Sequence, residues 1–309
     1  MHTSELTKTE LFEAECASVG RDCAAAKLRF DPTGPAAYRS EYQAYQGERR
    51  RADYFSRKLL GLRLNAVKRG KVVDRSVTAD VLKRVTGERC PVSLEAFTLD
   101  PKTQSSLNPS VDRLVNEVSY TRGNICVLAQ RVNRAKGDKT FEEVAEIASS
   151  GQDRDGLKAI EWARLCSLMY GAWARAYKHS DPCLMPLAAI PGADLFMSTS
   201  QVVQYLMMRH FQPGGPHALG TEIWLGLTRQ CGCEERLLLG LRDGLIPALS
   251  RESHPGNAWL HGKVFDAFVD WYRACEDLPS LLADALARQQ AKNPYGFEDV
   301  EWQLVSSGG

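Results

Sequence analysis

The sequence predicts a mainly α-helical protein in which one small α+β module is embedded, flanked by N-terminal helices and followed by an all-α region. Three observations carry that prediction. Apolar residues recur at helical spacing over most of the chain, broken by clusters such as DPTGP at 31–35 and QPGGPH at 212–217. Two short runs, SVDRLV at 110–115 with apolar residues on alternate positions and NICVLA at 124–129, read as strands on either side of a turn that contains Gly123. Directly after the second run, QRVNRAKGD opens a helix, so the order strand, loop, strand, helix is compressed into one short segment.

Taken in order, residues 3–30 read as a helix: Thr3 or Ser4 can cap it, Glu5 and Glu10 suit its first turns, and Leu6, Leu11, Phe12 and Cys16 share a stripe. DPTGP ends it. A second helix is expected from about Ala36 to Leu64, with Tyr38, Tyr42 and Tyr45 on one face and a basic opposite side. Such a tyrosine stripe is usually core, although aromatics interleaved with arginine also stack on bases. The segment 76–97 predicts a short helix capped by Ser76 or Thr78, a turn at Thr86-Gly87 and the loop CPVS. After the polar loop TLDPKTQSSLNP come the two strands and their helix, and FEEVAEIAS at 141–149 continues as an amphipathic helix.

SGQDRDG at 150–156 is the expected linker, dividing the chain into a basic helical region (1–75), the strand-bearing module (76–150) and an all-α domain (155–309). In the last, helical patterns cover 157–178, 198–211, 219–230, 234–249 and 258–290. Its tryptophans Trp162, Trp173, Trp224, Trp259 and Trp271 read as core, and Trp302 as core or as a docking residue near the tail.

The chain of 309 residues is 25% charged and 44% hydrophobic, the composition of a globular protein rather than a disordered one. No run of 18 apolar residues and no signal-like N-terminus is present, so a cytoplasmic protein without a membrane partner is expected. Nine cysteines without a secretory signal predict reduced thiols. Cys231-Gly-Cys233 lacks the spacer that suits a zinc knuckle. The net charge of +1 conceals an asymmetry: residues 48–89 hold 13 Lys/Arg against 5 Asp/Glu, 101–140 hold seven against three, and 155–309 hold 13 against 17. The basic half has the footprint of a polyanion binder, because neutralised phosphates release counterions. Solvated helix surface accounts for the same charges equally well. If the acidic half folds over the basic one, the protein is autoinhibited.

The chemistry of the module rests on a few residues. Hydrolysis of a phosphodiester with a metal needs a carboxylate or amide to hold Mg²⁺, a base to activate water, and a rigid frame. Asp112 at a strand end and Asn133 on the following helix are the candidates to hold one cation between them, and Asn124 can cross-link the intervening loop. Each also has a plainer explanation, as a surface ion pair, a turn residue or a loop-bonding amide.

The run Ser110-Val111-Asp112-Arg113, then Tyr120-Thr121-x-Gly123-Asn124, then Asn133-Arg134-x-Lys136, with Cys90-Pro91 upstream, resembles the HNH endonuclease superfamily, in particular its phage-type and endonuclease VII-like members. The resemblance covers about residues 76–148. It implies a ββα-metal fold, Mg²⁺ or Mn²⁺ on Asp112 and Asn133, Asn124 as the loop-fixing residue, and a histidine base after the aspartate. Arg113 stands in the histidine's place, and a guanidinium does not give up its proton in a protein, so it clamps phosphate rather than activating water. The zinc that many members carry would need four cysteines where this chain has Cys90, Ser93, Ala129 and Val132, so structural zinc is not expected.

The resemblance therefore implies a metal-dependent endonuclease acting on nucleic acid, with DNA the expected substrate, in a phage, mobile-element or anti-phage defence setting. Three alternatives stay open at Arg113. A base arrives from elsewhere, as metal-bound hydroxide or as His179, His210, His217, His254 or His261; or the site is silent and Arg113, Arg122, Arg131, Arg134 and Lys136 hold phosphates; or the module is a scaffold for an adaptor whose helical half binds a protein partner or a second copy.

Overall fold

The computed structural model describes residues 7–99, 105–177, 183–192 and 195–282. It is mainly helical with one two-stranded antiparallel sheet, as the sequence predicts. Helix α1 (Lys8–Ala25) begins at a capping box in which Thr7 and Glu10 satisfy each other's backbone N–H groups. Its buried face is Cys16, Val19, Gly20, Cys23 and Ala24; of the expected stripe, Cys16 is buried and Phe12 packs half-buried on the same cluster, whereas Leu11 is exposed and Leu6 lies outside the described residues. Small side chains win because α2 (Ala36–Ala44) crosses very close: a Cβ on Gly20 would sit 2.4 Å from the Tyr38 carbonyl oxygen. Tyr38 is fully buried, so the tyrosine stripe is core at its start.

The single helix expected over Ala36–Leu64 is two. The chain runs extended from Tyr45 to Asp53, tied to α1 by Arg50 N–H donating to the Ala25 carbonyl (2.8 Å). Helix α3 (Tyr54–Val67) then starts where Asp53 accepts from the Phe55 and Ser56 N–H groups at 2.9 and 3.0 Å. That aspartate cap is the break that a periodicity count overlooks. Helix α4 (Ala79–Val85) is capped by Thr78, one of the two expected caps.

Strands β1 (Pro109–Arg113) and β2 (Ile125–Ala129) pair in a register that sets Asp112 opposite Cys126 and Pro109 opposite Ala129. Helix α5 (Gln130–Lys136) follows β2 without a loop, and α6 (Phe141–Ser149) begins at a Thr140/Glu143 capping box. Strand β2 is buried along its whole length, which explains its continuous apolar run.

Residues 150–156 do not separate two cores. They form a turn in which Gly151, Asp155 and Gly156 take positive φ, anchored by Asp153 at the start of α7 (Ala159–Ala176) and by Trp162 Nε1 donating to the Arg154 carbonyl (3.0 Å). One apolar cluster runs from Cys90 and Leu128 through Val132 and Val144 to Trp162 and Met169. The hairpin, α5 and α6 thus share their core with α7.

A second core joins α8 (Thr199–Phe211), α9 (His217–Gln230), α10 (Glu235–Arg251), the 3-10 turn Pro255–Leu260 and α11 (Gly262–Ala274). Trp224, Trp259 and Trp271 are fully buried in it, with Trp224 edge-on to Trp271 at 5.9 Å between centroids. The expected helix over 258–290 is interrupted at His261, and its last residues lie outside those described, as does Trp302. No helix among the described residues is long and apolar enough to cross a membrane.

Candidate nucleic-acid site on the hairpin and α5

Alternation along β1 sends Ser110 and Asp112 toward the same side of the hairpin, and one turn of α5 sends Asn133 and Lys136 toward them. The result is two facing pairs. Asn133 Nδ2 donates to Ser110 Oγ at 2.7 Å, and Lys136 Nζ stands 3.0 Å from Asp112 Oδ2. The approach is off the axis of a hydrogen bond, so Oδ2 has a charge partner but no donor in line. Lys136 also donates to the Arg113 carbonyl (2.8 Å) and to Asn116 Oδ1 (3.3 Å), and it is wholly buried. Burial pushes the Asp112 carboxyl up, against the pull of Lys136 in the other direction.

Arg113 points into the loop between the strands. Its Nη1 donates to the Asn116 carbonyl (2.6 Å), with the Val118 carbonyl at 3.4 Å, and its guanidinium lies 4.8 Å from the centre of the Tyr120 ring. Arg69 in turn donates to the Tyr120 hydroxyl at 3.1 Å. Asn124 is fully buried and spans the same loop: Oδ1 accepts from Val115 N–H (2.8 Å), while Nδ2 faces the carbonyls of Val115, Val118 and Ser119 at 3.0, 3.3 and 3.0 Å. Every polar group of its amide is used, which fixes the loop in one conformation.

The other basic candidates divide. Arg131 is gripped by two carboxylates, Glu95 and Glu161, each at 2.5 Å from Nη2, and the arginine holds Glu95 below the usual carboxylate range. Arg134 is exposed on the outer side of α5 and meets no carboxylate among the described residues. Arg122 is half-buried at the hairpin turn. On that outer side an open groove of about 540 Å³ is lined by Arg131, Arg134, Ala135, Lys139 and Asp155, with Lys139 paired to Asp155 at 3.3 Å.

The candidate bases are elsewhere. His210 Nδ1 accepts from Trp224 Nε1 (3.0 Å), His217 Nε2 meets the Gln212 carbonyl (2.8 Å), and His261 pairs with Glu252 (2.8 Å). His254 is half-buried near Arg164, and both burial and that charge press its pKa down. His179 lies outside the described residues. At the positions where the resemblance places zinc ligands, Cys90 Sγ accepts from Ala129 N–H (3.3 Å), and Cys90, Ala129 and Val132 belong to the apolar core.

The fit of a divalent cation to Asp112 and Asn133 can be judged from the donors. Mg²⁺ takes several hard oxygens in a strict geometry. Here the one carboxylate already faces an ammonium, and with Asn133 Nδ2 donating to Ser110 only the amide oxygen is left to join it, so the arrangement offers too few free oxygens to fit Mg²⁺ or Mn²⁺ there. Sequence reasoning missed Lys136 as an internal group and the carboxylates Glu95 and Glu161, and it has Ser110 and Tyr120 only as landmarks of the motif. The signal for Lys136 was present: Ser-x-Asp on a strand and Asn-x-x-Lys on the helix it meets place two pairs at matching intervals.

What the fold and this site define is a mainly helical protein carrying a ββα unit with a buried polar interior. Comparison with known proteins returns no matching family model, no matching curated protein and no matching solved structure.

Proposed function

We propose that the chain is a nucleic-acid-binding protein of HNH-like type, acting on DNA, in which the ββα unit is the frame and exposed cations outside its interior meet the phosphates. The observation that carries this reading is that Arg49, Arg51, Arg57, Arg75 and Lys83, on the helices and loops leading to the hairpin, are exposed and meet no carboxylate among the described residues. Arg134 adds a sixth such cation beside the groove on α5. Cations of this kind keep their charge available, whereas Arg113, Arg131 and Lys136 spend theirs inside the protein. Fluorescence anisotropy with a labelled DNA duplex at a series of salt concentrations tests it. The affinity should fall steeply with salt, and reversing Arg51, Arg57 and Arg134 to glutamate should weaken it at least about tenfold. No affinity at low salt overturns the reading.

A second reading, the metal-dependent endonuclease, is favoured by the way Ser110, Asp112 and Asn133 converge between hairpin and helix. It requires Lys136 to leave Asp112 first. Nicking of a plasmid in Mg²⁺ or Mn²⁺ that disappears in both Asp112→Ala and Asn133→Ala would support it; a protein that binds the plasmid and leaves it intact returns the choice to the first reading.

A further inference from the structure

We propose that the ammonium of Lys136 is the resident cation of the ββα unit, holding the place beside Asp112 that the family resemblance gives to a divalent metal, so that the unit folds around an internal ion pair. Lys136 Nζ sits among oxygens of the strand, the loop and the facing carboxylate. Three oxygens face it: the Asp112 carboxylate at 3.0 Å, the Arg113 carbonyl at 2.8 Å and the Asn116 amide oxygen at 3.3 Å. A carboxylate, a backbone carbonyl and a side-chain amide are the hard oxygens that a calcium or magnesium ion collects. Here a –NH₃⁺ group faces the same set, donating to the carbonyl and the amide oxygen and pairing by charge with the carboxylate.

Burial makes the assignment strict. Lys136 has no exposed surface and the Asp112 side chain is only 13% exposed, so both charges are largely cut off from water. Removing one member of such a pair leaves the other buried without a counter-charge, which costs far more than the pair itself contributes. The position is also structural. Lys136 ends α5, Asp112 lies near the end of β1, and Asn116 opens the loop that Arg113 and Asn124 hold. One cation therefore ties strand, loop and helix together, the task a metal performs in a unit too small to have a core of its own. The inference is independent of the nucleic-acid reading, since it concerns how the unit holds together.

The test is thermal unfolding of the full chain and of Asp112→Asn, Lys136→Met and the double variant, each with and without Mn²⁺ at matched ionic strength. The wild type should gain less than about 1 °C from Mn²⁺, because no site is open to it. Lys136→Met should lose on the order of 10 °C. The double variant should lose clearly less than the sum of the two singles, the sign of a direct interaction. In Lys136→Met, Mn²⁺ should recover part of the loss by reaching the unpaired Asp112, and should recover nothing in the double variant. A saturable Mn²⁺ stabilisation of the wild type that vanishes in Asp112→Asn overturns the proposal, as does additivity in the cycle. Should Lys136→Met fail to fold, paramagnetic titration of the wild type with Mn²⁺ still decides: binding that depends on Asp112 refutes the resident cation, and its absence supports it. DNA affinity, measured separately, bears on the nucleic-acid reading alone.

Discussion

The two halves of this protein both rest on apolar cores but differ in the charged and amide groups buried beside them. Around the hairpin the buried groups include Arg113, Asn124 and Lys136, each spent on loop carbonyls or on a carboxylate. Around α8 to α11 the interior is aromatic, with Trp224, Trp259, Phe268 and Trp271 in mutual contact. An apolar core rewards any well-packed shape of the right volume, so it tolerates conservative change. A polar interior accepts only partners in the right place, and a missing one strands its neighbours without hydrogen bonds. The first kind supplies stability. The second dictates a single loop conformation, which is what a recognition surface needs.

That contrast is sharpest at Asn124. Asn124→Leu keeps the branched shape but strands Val115 N–H and the Ser119 carbonyl, and it leaves the Val115 and Val118 carbonyls to their weaker donors, Val118 N–H and Arg113. A loss of about 4 kcal/mol is expected from their combined desolvation. Phe268→Leu, equally buried, should cost only about 1 to 2 kcal/mol, since its surroundings can close on the smaller side chain. Chemical denaturation of both variants is the measurement. Equal losses would break the distinction between the two interiors.

Next in size is Gly123→Ala. The residue sits at φ +83°, and an added Cβ would come within 2.0 Å of the Phe196 ring, which reaches the hairpin turn from the segment before α8. Backbone strain and the displaced ring together should remove about 2 to 3 kcal/mol. A variant as stable as the wild type would show that the helical half does not rest on the hairpin turn.

How much of this was legible in the sequence follows the same division. The hairpin, α5 and α6 could be read because alternation, a turn glycine and a Thr-x-x-Glu cap are local signals. The break before α3 was hidden because its cause is one aspartate cap inside a run of arginines. The turn at 150–156 has linker composition, yet it lies between helices of one core; composition records exposure to solvent, not what the flanking helices pack against. In the candidate site, Asn124 could be read as a loop fastener from its place at the start of the second strand. Arg113 and Lys136 read as phosphate ligands because long cationic side chains are usually on the surface, and only packing reveals that these two turn inward.

A smaller effect separates the halves by pH. His254 is pressed below the ordinary histidine range by burial and by the nearby Arg164 charge, so the folded chain binds its proton less readily than the unfolded one. The stability it contributes is complete above the unfolded pKa of about 6.5 and is lost as pH falls through that value toward the lower folded one. His210, lowered by burial while Nδ1 accepts from Trp224, adds a contribution of the same sign. The melting temperature should therefore drop between about pH 7 and pH 5, and His254→Gln should flatten part of that slope. If the slope is unchanged in that variant, His254 is not a source of the acid sensitivity.

The smallest expected effect is at the surface of the N-terminal helices. Arg21 and Glu41 join α1 to α2 at 3.0 Å, but their side chains are 49% and 40% exposed, so water and salt screen the pair. Glu41→Gln should change stability by less than about 0.5 kcal/mol, and the difference should vanish in high salt. The pair spans nearly the same distance as Lys136 and Asp112. If the exposed pair proved as costly to break as the buried one, the distance between charges rather than their removal from water would set the energy. The distinction drawn between the two kinds of ion pair would then have no physical basis.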